Sequence, residues 1–71
     1  MGRQRKLKNE LKTLRQLAQI TQNQLAELVG VSRKTINTVE NGVFIPSTLL
    51  ALQIAEVLKV PVEQIFSLED E

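Results

Sequence analysis

The sequence predicts an all-α domain of five short helices. Three observations lead there. Apolar residues recur at helical spacing in every segment between structure breakers, no run of alternating character is long enough for a convincing strand, and the connections are only about 3 to 6 residues long. The breakers Gly30, Gly42, Pro46 and Pro61 do the cutting. Seventy-one residues, 42% of them apolar and 24% charged, describe one domain. A second independent core would need roughly 50 residues more.

The first helix is expected over Leu7 to Ala18, where Leu7, Leu11, Leu14 and Ala18 fall at spacings of four, three and four and so line one face. Thr21 followed by Gln24 is a capping box: the hydroxyl accepts from a backbone N–H of the first turn while the Gln amide reaches back. A second helix therefore starts there and carries Leu25, Ala26, Leu28 and Val29 up to Gly30, a residue suited to the left-handed conformation that ends a helix. Ser32 caps a third helix from Arg33 to about Glu40, ended by Asn41 and Gly42. Pro46 and Ser47 introduce a fourth with Leu50, Ala51, Ile54, Val57 and Leu58 inward, and Pro61 opens a fifth with Val62, Ile65 and Phe66. Residues 1–6 read as a basic N-terminal arm, 7–66 as the domain, and 67–71 as a short acidic tail, preferred to a short pairing strand because so few residues remain.

Composition excludes several functions. With no His and no Cys, the chain lacks the usual general base, the thiol nucleophile and the commonest metal ligands. No paired acids, glycine-rich phosphate loop or metal-ligand cluster stands in for them, so neither an enzyme nor a metal or other cofactor is expected. No apolar run approaches the roughly 18 residues of a membrane span, and Met1 to Lys12 holds no signal-peptide core. A cytoplasmic protein with no membrane partner and no room for a separate ligand-sensing domain is the expectation. Net charge is +1, but residues 1–15 carry +5 and residues 56–71 carry −4, an asymmetry that accompanies polyanion partners.

Residues 22–41 carry the sharpest pattern: apolar Leu25, Val29, Val31, Ile36 and Val39 in register, small Ala26 where two helices cross closely, and Gly30 in the turn. This is a helix-turn-helix arrangement. At 100° per residue, Ile36 and Val39 point roughly opposite to Arg33, Lys34, Asn37 and Thr38, which therefore project outward. A short helix with such a face enters the major groove of double-stranded DNA. Arg33 suits guanine O6 and N7, Lys34 guanine or phosphate, Asn37 adenine N6 and N7, and the Thr38 methyl thymine.

The segment TQNQLAELVGVSRKTINTVENG, followed by PS and ALQIAEVLKV, resembles the phage repressor and Cro (XRE-type) family of helix-turn-helix regulators over about residues 7–66. The resemblance implies a compact five-helix lambda-repressor-like fold and a homodimer that binds a palindromic operator and regulates transcription, most simply as a repressor. It implies base contacts from Arg33, Lys34 and Thr38 with Asn37 beside them. It implies DNA-backbone contacts from Gln22, Ser32, Thr35 and Asn41, Gln22 also matching a position that meets the neighbouring base. Arg15 and Glu40 match a partly buried ion pair with a structural role. The first N–H groups of the second and third helices, where Gln22 and Ser32 sit, are natural phosphate ligands on physical grounds as well.

The chain departs from the pattern at Leu17, Leu49 and the run Val43, Phe44 and Ile45, which are apolar where the family is commonly polar. Val43 stands where a lysine often meets phosphate. Lys59 and Pro61 replace a commoner glycine and serine, altering the turn before the fifth helix. Three apolar residues in one loop form a contact surface. A competing expectation is therefore a protein-interaction module, or an antitoxin-type protein, that uses Val43 to Ile45 on a protein partner. The homodimer interface is expected on the C-terminal part, with Phe66, Leu68 and Leu49.

Overall fold

The computed structural model describes residues 5–70. In chain order these form β1 (Arg5–Asn9), α1 (Leu11–Leu17), α2 (Gln22–Val29), α3 (Arg33–Glu40), α4 (Thr48–Leu58), α5 (Val62–Ile65) and β2 (Phe66–Asp70). The helical frame follows local sequence closely. Thr21 accepts from the Gln24 N–H at 3.0 Å while the Gln24 side chain accepts from the Thr21 N–H at 2.8 Å, completing the capping box. Ser32 and Ser47 accept from Thr35 N–H at 3.1 Å and Leu50 N–H at 3.0 Å, capping α3 and α4 in the same way. Gly30 ends α2 at φ 77°, and a Cβ there would meet nothing within 4 Å. Its requirement is conformational, not steric.

The fold is mostly helical but not all-α. β1 and β2 pair antiparallel in a two-stranded sheet with Arg5 opposite Asp70, Lys6 opposite Glu69, Leu7 opposite Leu68, Lys8 opposite Ser67 and Asn9 opposite Phe66. Three expectations are corrected together. The first helix begins at Leu11, not Leu7; Arg5 and Lys6 belong to a strand and not to an arm; and residues 67–70 are strand, not loose tail. Residues 1–4 and 71 lie outside the described residues. The cause is long-range. RKLKN and FSLED are each too short and too polar to announce a strand, and only when the chain ends meet does a basic strand face an acidic one, with opposite charges across the ladder. At the junction the Glu10 N–H donates to Ile65 O at 2.8 Å, Asn9 Oδ1 accepts from the Leu11 N–H at 3.3 Å, and Asn9 Nδ2 donates to Val39 O at 3.2 Å. These bonds stop the helix from extending back and anchor the ribbon to α5 and the end of α3.

The core is the helical interior: Leu11, Leu25, Ile36, Val39, Ile54 and Ile65 are fully enclosed, with Ala26, Val29, Leu50, Ala55 and Leu58 around them. Each fully buried aliphatic side chain is worth about 1.5–3 kcal/mol of transfer free energy. Ala26 is only 1% exposed, and α2 packs against α3. Ile36 and Val39 are the two residues of α3 that reach this core, so their burial sets the roll of α3 and thereby which side chains it turns outward.

Candidate nucleic-acid interface

With Ile36 and Val39 buried, α3 presents Arg33 and Lys34 exposed and Asn37 and Thr38 half-buried along its outer side. Lys34 has no hydrogen-bond or ion-pair partner among the described residues. Arg33, by contrast, is held: its Nη1 donates to Gln22 Oε1 at 3.3 Å. Gln22, the first residue of α2, donates through Nε2 to Asn37 Oδ1 at 3.1 Å and to Glu40 Oε1 at 3.0 Å. Its neighbours leave no choice of amide orientation, because a carboxylate only accepts and a guanidinium only donates. Glu40 is in turn bound by Arg15, with Nε to Oε2 at 2.6 Å and Nη2 to Oε1 at 3.4 Å. The remaining Arg15 Nη1 donates to Ile20 O at 2.8 Å. These side chains are 10% and 2% exposed. The Glu40 charge is therefore compensated from α1 before it reaches the solvent-facing side of α3.

Gln22, expected to meet phosphate or the neighbouring base, also joins Arg33, Asn37 and Glu40 in one network, a role the sequence alone does not show. The available signal was the spacing of Asn37 and Glu40, three apart on one face of α3 opposite the start of α2. Ser32 and Thr35 share a hydroxyl bond of 3.0 Å while Ser32 Oγ also accepts the capping N–H, which leaves one hydroxyl proton of the pair for an outside acceptor. The Thr38 hydroxyl donates to Thr35 O at 2.9 Å, so outward Thr38 offers a methyl group and an acceptor. Asn41 is exposed at the C-terminal cap of α3, its N–H directed back to Asn37 and Val39 carbonyls. The first N–H groups of α2 and α3, which have no partner inside their helices, lie beside Gln22 and Ser32.

Immediately past this face, the Val43 and Phe44 N–H groups both donate to Thr38 O, at 2.9 and 3.2 Å. The apolar loop is thus tied to the last turn of α3. Gly42, at φ 76°, makes that turn.

The family model described as helix-turn-helix matches residues 11–65, from the first residue of α1 to the last of α5. The chain belongs to the XRE-type helix-turn-helix family. It is 42% identical over 65 residues to the uncharacterized HTH-type transcriptional regulator YgzD of Bacillus subtilis, and 46% identical over 65 residues to the uncharacterized HTH-type transcriptional regulator MJ0272 of Methanocaldococcus jannaschii. Both alignments span 92% of this chain and 98% of the relative. Among solved structures it is similar to the restriction-modification controller protein C.AhdI of Aeromonas hydrophila, with a TM-score of 0.72 and 30% identity over 76% of this chain and 78% of that one. Members of this XRE-type family are DNA-binding transcriptional regulators and not enzymes, and this chain is one of them. Among the described residues no helix is long and apolar enough to cross a membrane.

Proposed function

We propose that this XRE-type regulator is a sequence-specific repressor that occludes a promoter by binding a palindromic operator as a homodimer, with α3 as its recognition helix. The observation that carries the reading is the row Arg33, Lys34, Asn37 and Thr38 on the side of α3 opposite buried Ile36 and Val39. Those four side chains read base edges. Gln22, through its backbone N–H at the start of α2, and Ser32, Thr35 and Asn41 hold the DNA backbone, with the other first-turn N–H groups of α2 and α3 as additional donors to phosphate. A palindrome follows from arithmetic: one helix of this length reads only about 4 or 5 base pairs, and a two-fold pair reads two such sites about 34 Å apart.

The test is selection of bound sequences from a random double-stranded DNA pool at two salt concentrations, wild type against Arg33→Ala. The expected result is an inverted repeat with a guanine in each half-site, whose binding Arg33→Ala weakens by about 1–3 kcal/mol per half-site while relaxing the preference at that base. Enrichment of nothing, with residual binding lost steeply as salt rises, leaves only nonspecific attraction and rejects the reading.

A further inference from the structure

We propose that the apolar start of the α3–α4 loop faces DNA: Val43 and Phe44 pack against a deoxyribose of the bound backbone, beside the recognition helix. The inference rests on the DNA reading above and adds to it two residues of a chemistry that reading leaves unused. Val43 is 78% and Phe44 46% exposed. Both share one groove with Ser32, Lys34, Thr35 and Thr38, so the apolar wall stands beside the side chains of α3 that face outward. The backbone holds it there, since the Val43 and Phe44 N–H groups both donate to Thr38 O, at 2.9 and 3.2 Å.

The two walls of the groove differ in chemistry, and the difference selects the occupant. On the loop side the two N–H groups are spent within the fold and both side chains are apolar, so Val43 and Phe44 have no hydrogen-bond donor to give a phosphate. On the helix side Ser32 and Thr35 keep one hydroxyl proton of their shared bond for an outside acceptor. Lys34 is the only charged residue of the groove and has no ion-pair partner among the described residues, so the groove carries a positive charge. A cationic wall with a free donor, set against an apolar wall, matches one unit of the DNA backbone, an anionic phosphate joined to a sugar without a 2′-hydroxyl. The phosphate meets the Ser32 and Thr35 hydroxyls, and the sugar meets Val43 and Phe44. A purely apolar partner on the same groove would have to bury the Lys34 ammonium unpaired.

The test is DNA affinity against salt concentration for the wild type, Phe44→Ala, Val43→Ser, Val43→Lys and, as a control, Leu28→Ala on the exposed side of α2, with the oligomeric state of each free protein followed by sedimentation. Phe44 has roughly half of a phenylalanine's burial still to gain, so Phe44→Ala is expected to weaken binding about 3- to 10-fold per copy. Val43→Ser is expected to act in the same direction and Leu28→Ala to change nothing. A sugar carries neither charge nor sequence, so both losses are expected to leave the selected DNA sequence and the slope of log affinity against log salt unchanged. Val43→Lys adds a cation beside the phosphate and is expected to steepen that slope by about 1. Unchanged affinity in Phe44→Ala and Val43→Ser overturns the proposal. A lost preference for thymine in Phe44→Ala also overturns it, because the contact is then with a base methyl, and so does weakened self-association of the free protein, because the contact is then with a second copy. If Phe44→Ala unfolds, the more exposed Val43 carries the test. The two readings fail separately. A chain that selects a DNA sequence but is indifferent to both variants rejects this contact alone, and one that selects none while Phe44→Ala still weakens its binding to random duplex at low salt rejects sequence reading alone.

Discussion

At the scale of single residues, Arg15 and Glu40 decide more than their number suggests. Removing one member of a pair this enclosed leaves the other charge without its partner, which costs about 3–5 kcal/mol even though the pair itself contributes little net stability. Arg15→Ala is therefore expected to lower the urea midpoint sharply, approaching the whole stability of a small domain. Gln22→Glu is expected to do less damage to the fold and more to DNA binding. It puts a second carboxylate where the amide now sits, 3.0 Å from Glu40, and turns the donor of Asn37 into a repellent for phosphate. Urea titration should show a loss of about 1–3 kcal/mol for the unmet polar groups, and a DNA titration a larger deficit. The outward row of α3 was legible in the sequence because 100° periodicity assigns faces without any tertiary information. The Gln22 network was not, since it depends on how α2 and α3 approach each other, which no single-helix pattern contains.

At the scale of elements, the helices α2, α3 and α4 were legible because their ends are written locally, in Thr21 with Gln24, in Ser32, in Ser47 and in Gly30. Ser32→Ala is expected to cost about 1 kcal/mol by thermal or chemical unfolding, the usual loss when a capping hydroxyl is removed. The C-terminus of α4, like the turn after α1 where Gln19 stands at φ 62°, departs from the glycine rule that Gly30 and Gly42 follow. Lys59 occupies the left-handed region at φ 60°, where a side chain costs about 1–2 kcal/mol relative to glycine. Part of that is offset by the greater freedom glycine has when unfolded, so Lys59→Gly is expected to raise stability by about 0.5–1 kcal/mol, read as a higher melting temperature with unchanged DNA affinity. The false start of α1 at Leu7 shows the limit of periodicity: Leu7 lies four before Leu11 and fits the helical stripe, yet the bonds from Asn9 and Glu10 commit the backbone elsewhere.

At the scale of the whole molecule, the β1–β2 ribbon is the element that local reasoning could not find, because each half is meaningful only against the other end of the chain. Its charges give it a signature of its own. Glu69→Lys places like charges directly across the ladder from Lys6 and is expected to cost about 0.2–1 kcal/mol. Amide exchange should quicken in β1 and β2 while α2 and α3, held by the enclosed core, keep their protection. The pairing of Arg5 with Asp70 also brings the two ends of the described fold side by side. Joining Asp70 to Arg5 through a few flexible residues would leave the helical fold intact and let the chain be opened instead at an exposed turn. The same closeness means that anything attached ahead of Arg5 and anything attached after Asp70 depart side by side, so a tether fixed to either end grips the molecule from one place.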